Sequence, residues 1–289
     1  MPQTAVIIGR AGQLGTELCK EFASRGWQVK GFDRKTLNIA DPAEVERALT
    51  SAEPDLVVNA AAYNQVDVAE REPMAAYMVN GLAVRNLAVI CRQLDAKLVH
   101  FSTDYVFDGT ANRPYTEADA PHPLSAYGVS KLAGEYYARA YLDKALVIRT
   151  SGVFGPAGQH SARGNFVELM LRLAVGGQPI RVVEDHVASP TYAPELARLT
   201  ADLVGKEVTG VVHGGGETSI SWYEYAKLIF GAAGLTPSLR STNEREYRTA
   251  AKRPKFSALA NIRAKEAGIA PMPSLADCVR RYLSTRVTA

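Results

Sequence analysis

The most constraining feature stands at the start of the chain, where the apolar run AVIIG (5–9) breaks into Gly9-Arg10-Ala11-Gly12-Gln13-Leu14-Gly15 and then into a helical pattern. Glycines spaced in this way permit a tight turn, admit backbone N–H groups to a pyrophosphate and let a helix lie close on a strand. The positive end of a helix beginning near Gln13 then faces the phosphates. Such a pattern alone also fits a plain strand-to-helix turn. Here the context is supplied, because Asp33 ends the second apolar run, VKGFD (29–33), 18 residues beyond Gly15. Strand, turn, helix and acidic strand end together predict a dinucleotide site. Asp33 suits an adenosine ribose and so NAD, whereas Arg10, Arg34 and Lys35 suit a 2′-phosphate. The balance leans to NADPH, with NADH as the alternative.

The rhythm continues with DLVVN (55–59), KLVHF (97–101) and ALVIR (145–149), separated by longer helical patterns. Short buried runs alternating with helices predict an α/β fold, a doubly wound parallel sheet covered on both faces. One helix has a clear start, with Asp41 as N-cap, Pro42 at the first helical position and Glu44 three residues after the cap. The apolar segment 71–94 reads as a helix packed between the sheet and its neighbours. After Arg149 the rhythm changes, with a Gly-rich stretch (152–165), a helix near 166–175, a strand near 180–183 and a mixture of loops and helices. The expected division is a nucleotide-binding domain over 1–150, to which segments near 186–213 return, and a smaller substrate lobe over most of 151–289.

Lys plus Arg total 33 against 30 Asp plus Glu, without a basic block, which argues against nucleic-acid binding. Cys19, Cys91 and Cys278 are scattered and odd in number, as in a reducing compartment. No signal peptide is apparent, and no run approaches the roughly 18 apolar residues of a membrane helix. The expectation is a cytoplasmic protein without a membrane partner. The five histidines lack metal-ligand spacing, so no metal site is expected.

Tyr127 and Lys131 stand four apart in SAYGVSKLAGEYYARAY (125–141) and would project from one helix face. A nearby ammonium favours a phenolate, which would make Tyr127 a usable proton donor near neutral pH. The same spacing recurs at Tyr223 and Lys227, where nothing else supports chemistry. Position favours the first copy, because KLVHFSTDYVF (97–107) opens at its C-terminal end into Ser102, Thr103 and Asp104, where open parallel sheets bind ligands. The Thr103 hydroxyl can polarise a substrate carbonyl beside Tyr127, and Lys131 can also hold the nicotinamide ribose. Small residues at Ala60, Ala61 and Ala62, before Tyr63, would admit a cofactor to the backbone or simply pack. Asn80, polar in an apolar helix, reads either as orienting Lys131 or as a structural amide.

Together these residues resemble the extended short-chain dehydrogenase/reductases, and more narrowly the dTDP-4-dehydrorhamnose reductases. The resemblance rests on GRAGQLG (9–15), PDLVVNAAAYNQVDVAE (54–70), STDYVFDG (102–109), YGVSKLAGE (127–135), RTS (149–151), GNF (164–166), ASPTYAPELA (188–197), SWYEYA (221–226) and RPKFSAL (253–259). It implies a Rossmann-type sheet with a smaller C-terminal lobe, and NAD(P)H-dependent reduction of dTDP-6-deoxy-L-lyxo-4-hexulose to dTDP-L-rhamnose. Thr103, Tyr127 and Lys131 match the family's catalytic positions. Ser102, Asn38 and Ile39 fall with the cofactor contacts, and Val66, Asp67, Asp104, Tyr105, Asn165 and Arg253 with the contacts to the dTDP-sugar substrate. Two departures stand out: Gly152 replaces an aromatic residue after RTS, and Asn38 replaces an acidic residue near the adenine site. Some members use Mg²⁺ at a dimer contact; Glu17 and Glu195 lie at matching places, but a metal is not expected here, and a homodimer is one possible assembly. Two other outcomes stay open: a cofactor-binding regulatory partner resembling the methionine adenosyltransferase β subunit, and a nucleotide-sugar epimerase or dehydratase.

Overall fold

In a computed structural model, which describes residues 2–160 and 164–286, the apolar runs become strands. Residues 161–163 of the Gly-rich stretch lie outside the described residues. β1 (Thr4–Ile8), β2 (Gln28–Phe32), β3 (Leu56–Asn59), β4 (Lys97–Thr103) and β5 (Leu146–Thr150) join one sheet. β6 (Ile180–Val183) and β7 (Val187–Ala188) lie outside it, and β8 (Gly210–His213) returns to complete it in the order β2-β1-β3-β4-β5-β8. Every pairing in this sheet is parallel. The chain leaves β1 on one side for β2 and comes back on the other for β3, so a crevice opens between them at the C-terminal strand ends.

Both faces of the sheet are covered, which is why its strands read as continuous apolar runs and not as alternating ones. Ile7, Val58, Phe101 and Ile148 pack on one side with α1 (Gln13–Ser24). Val6, Val57, Leu98 and Val147 pack on the other with α2 (Pro42–Ala52). Asp41 caps α2 as expected, accepting from Ala43 N and Glu44 N at 3.0 and 3.1 Å. The Glu44 carboxylate, however, accepts from Asn38 N at 3.0 Å, so it ties down the preceding loop and does not close a capping box.

After the short α3 (Val66–Ala69), segment 73–93 runs as α4 (Pro73–Tyr77), a π-helical turn (Met78–Leu82) and α5 (Ala83–Gln93). This corrects the expectation about membrane-length segments: Pro73–Gln93 spans 21 residues at mean hydropathy 1.4, long and apolar enough to cross a bilayer by length and composition. Asn80, Arg85 and Asn86 interrupt any apolar run, so averaging finds what run-counting missed. Its Val84, Leu87, Ala88 and Cys91 lie in the core beneath the sheet, the placement of a core helix.

α6 (Ala126–Tyr141) covers the same face. Beyond β5, α7 (Phe166–Val175), α8 (Ala193–Gly205), α9 (Trp222–Ala233), α10 (Ile262–Glu266) and α11 (Leu275–Ser284) follow, with β9 (Ile220–Ser221) against β7 and β10 (Leu239–Thr242) against β6. α8 lies on the sheet beside α1. A separate aromatic core of Phe154, Met170, Tyr225 and Tyr282 holds α7, α9 and α11 together.

Candidate active site

The dinucleotide cradle forms where β1 meets α1. Gly9 adopts φ 89°, and a Cβ on Gly15 would lie 2.0 Å from the Gly9 carbonyl oxygen, so neither position accepts a side chain without displacing backbone. Gly12 caps α1 without a side-chain hydrogen bond, and the first turn carries no acidic residue. The positive helix end is thus left for an anion. At the far end of the cradle, Asp33 accepts from Lys35 N and Thr36 Oγ1 and lies 3.5 Å from Arg10 Nε.

α6 delivers the proposed catalytic pair. Ser125 caps the helix by accepting from Gly128 N at 3.1 Å, which fixes Tyr127 in the first turn. Tyr127, Lys131 and Glu135 follow at four-residue spacing along one stripe. Thr103, at the end of β4, donates to Asp104 Oδ1 at 3.1 Å and accepts from Tyr105 N. Its oxygen also meets the Tyr127 phenol.

The expectation that Lys131 acidifies the phenol does not describe this geometry. Burial pushes Tyr127 up to about 12, outweighing the hydrogen bond to Thr103. The Lys131 ammonium donates instead to the Phe101 carbonyl at 2.5 Å. Its own pKa is pushed down to about 8 by burial, with the Glu135 carboxylate opposing. Asp104 is buried and pushed up to about 6 by desolvation, against hydrogen bonds from the Ser257 and Ser151 hydroxyls at 2.5 and 2.8 Å.

A cleft of ≈ 420 Å³ gathers most of the sequence-selected residues: Gly12 to Gly15, Ala60 to Ala62, Val66, Ser102 to Tyr105, Tyr127, Lys131 and Gly152. A second cavity of ≈ 620 Å³ adjoins it and includes Asp67, Tyr105 and Arg253. Asp67 and Arg253 face each other there in a two-pronged ion pair of 3.1 and 2.7 Å, which holds the Asp67 carboxyl below its ordinary range. Sequence reasoning did not select Arg181, His186 or Trp222, which line this second cavity. Only the SWYEYA segment had marked the neighbourhood of Trp222.

Other selected residues lie outside both linings. Asn80 accepts from Tyr63 N and donates to Tyr63 O, both at 2.9 Å, and to Ser130 Oγ at 3.0 Å. It therefore ties the loop after β3 to the residue before Lys131, and its π-helical turn aims it there. Asn165 caps α7 and donates to Gln13 Oε1 at 2.8 Å, joining the cradle to the aromatic core. Asn38 and Ile39 lie in the loop beyond β2. Glu17 pairs with Lys20, and Glu195 with Arg198 and Arg281. In the second Y-x-x-x-K, Lys227 is exposed, pairs with Glu224 and lies over the Tyr223 ring.

Residues 3–287 match the family described as RmlD substrate binding domain. The spore coat polysaccharide biosynthesis protein SpsK of Bacillus subtilis is 38% identical, the match covering 98% of each chain. A dTDP-4-dehydrorhamnose reductase of Aggregatibacter actinomycetemcomitans is 36% identical over 92% of this chain and 94% of that one. Among solved structures, the dTDP-4-dehydrorhamnose reductase of Bacillus anthracis in complex with NADP superposes with a TM-score of 0.94 at 34% identity, covering 99% and 100% of the two chains. Likeness over the full length in both sequence and fold, around a cradle and a tyrosine–lysine helix, makes this chain a member of the dTDP-4-dehydrorhamnose reductase family.

Proposed function

We propose that the protein reduces the 4-keto group of a dTDP-4-keto-6-deoxyhexose, turning dTDP-4-dehydrorhamnose into dTDP-L-rhamnose. It is an NAD(P)H-dependent oxidoreductase, and NADPH is its reduced cofactor. The observation that carries the reading is the Tyr127–Thr103 hydroxyl pair, which stands in one cleft with the glycine cradle.

The cradle fits a dinucleotide because two of its glycines leave no room for side chains and the capping end of α1 has free donors. Gly12 to Gly15 would hold the pyrophosphate, Arg10 and Arg34 the 2′-phosphate, and Lys131 the nicotinamide ribose. Bound NADPH supplies the hydride that the ketone carbon accepts. The protein's own part concerns the oxygen. Tyr127 Oη, protonated throughout the neutral range, donates its proton to the oxygen as charge develops there. The Thr103 hydroxyl, which donates to Asp104 Oδ1 at 3.1 Å, can turn that proton to the same oxygen and steady it. Arg181, paired with Glu246, and Arg253, paired with Asp67, are the arginines of the adjoining cavity that would turn to a nucleoside diphosphate.

The test is NADPH consumption by the purified protein with dTDP- and UDP-4-keto-6-deoxyhexoses, followed by product stereochemistry. Turnover with the dTDP-linked sugar giving the L-rhamno product is expected. No oxidation of either reduced cofactor with any dTDP-4-keto sugar would sink the reading.

A further inference from the structure

Gly152 and Trp222 meet at one point. Gly152 carries the chain out of β5 at φ 50°, and a Cβ there would stand 3.3 Å from Cη2 of Trp222 and 3.4 Å from Cα of Pro190. A larger residue is disfavoured twice, by the left-handed backbone and by the ring it would press. Trp222 is itself held firmly. It opens α9 just after the Ser221 cap, its N–H donates to the His186 carbonyl at 3.2 Å, and Phe166 braces the indole edge-on at 4.7 Å. Its partly exposed ring lines the cleft of Tyr127 and also the cavity of Arg181 and Arg253. Tyr105 is the other side chain common to the two linings.

We propose that Trp222 determines substrate specificity as the apolar wall at this junction, packing on the sugar ring of the bound nucleotide sugar, and that Gly152 stays bare to let the indole reach it. The inference rests on the sugar-nucleotide reading above. A substrate with its ketone at Tyr127 and its diphosphate toward Arg181 and Arg253 must pass between Tyr105 and Trp222. The C–H face of a deoxysugar is apolar, and a rigid indole offers it a large surface at small entropic cost. Such a contact holds substrate and transition state alike, so its loss appears in KM more than in kcat.

The chain has two tryptophans, Trp27 and Trp222, and Trp27 packs on Phe22 in the core beside α1. The Trp27→Phe protein therefore reports Trp222 alone. Its emission should change more on saturation with the dTDP-4-keto sugar than with dTDP, and Trp222→Ala should raise KM for the sugar about tenfold with kcat changed less than threefold. NADPH affinity should hold within twofold, and Trp222→Phe should recover most of the loss. If the wild type turns over the sugar while folded Trp222→Ala keeps its KM within twofold, this inference fails and the reductase reading stands. If the wild type shows no turnover, the reductase reading fails, and the Trp222 emission decides the junction by itself: a change on saturation with the dTDP-4-keto sugar beyond that given by dTDP supports the wall, and a spectrum the sugar leaves unmoved overturns it. The same emission measurement decides where Trp222→Ala does not fold.

Discussion

Arg149 and Glu135 form a buried, two-pronged ion pair one helical turn beyond Lys131. The guanidinium donates at 2.9 and 2.7 Å from Nε and Nη2, and the Ser102 hydroxyl adds a third bond at 2.5 Å. Both side chains are almost wholly enclosed, and the guanidinium lies over the Phe107 ring. Removing one partner from such a pair costs about 3–5 kcal/mol, because the other charge stays buried and unanswered.

Glu135 also favours the charged form of Lys131, against the burial that lowers its pKa. The charged and titratable groups that act on that ammonium are His100 on β4 and Glu135 on its own helix, with Arg149 paired behind Glu135; His100 is buried and held neutral. Glu135→Gln removes the one carboxylate that favours the ammonium, so Lys131 should lose its proton below its present value of about 8. The alkaline fall of NADPH binding should move to lower pH, whereas Arg149→Gln should move it to higher pH. NADPH titrations by fluorescence across pH 6–10 (roughly the span over which this shifted lysine titrates) check the opposite signs.

Tyr127→Phe deletes only the proton donor. Turnover should fall by about 10²–10⁴-fold while NADPH affinity stays within about twofold. Thr103→Val should cost less, since it removes a polarising hydroxyl and leaves the donor in place. Single-turnover rates together with equilibrium binding separate the two effects, and a retained rate in Tyr127→Phe would reject the role given to the phenol.

Much of this site was legible from the amino-acid order, for identifiable reasons. The Gly9–Gly15 turn and the Tyr127–Lys131 spacing are local, so steric and helical periodicity expose them without a fold. The helix read near 166–175 runs as α7 from Phe166 to Val175. Contacts made across the chain were not. Gly152 reads as a missing apolar wall until folding brings Trp222 beside it. Asp67 and Arg253 were each selected as ligand contacts, yet nothing along the chain indicates that they face one another. The phenol's acidity failed for another reason: spacing places an amine near a tyrosine but does not say that a backbone carbonyl will accept the ammonium's hydrogen bond.

Asp104 should leave a signature in the acid range. Its carboxyl rises from 3.8 to about 6 on folding, so between these values the folded state binds more protons than the unfolded chain. The stability this contributes is complete below the unfolded value and is lost as pH rises through about 6, an effect of about 3 kcal/mol. Asp104→Asn should flatten this part of the profile. Urea titrations from pH 4 to 7 (roughly the window set by the two values) measure the difference, and parallel profiles for the two proteins would contradict the burial argument.

Gly15→Ala tests the cradle by the smallest possible addition. The new methyl would stand 2.0 Å from the Gly9 carbonyl oxygen and 2.9 Å from the Arg10 Cα, all rigid backbone, so α1 must move away from β1. Displacing the helix start withdraws the N–H groups from the phosphate position and loosens Leu18 and Phe22 from the sheet. NADPH affinity should fall at least about a hundredfold, and stability by about 2–4 kcal/mol from overpacking and core loss combined. Gly177, by contrast, has nothing within 4 Å of its added Cβ but a φ of 68°, so Gly177→Ala carries backbone strain alone. It should cost about 1 kcal/mol and leave NADPH binding unchanged. Calorimetry of both variants with and without NADPH distinguishes them, since only the cradle substitution should abolish stabilisation by the cofactor.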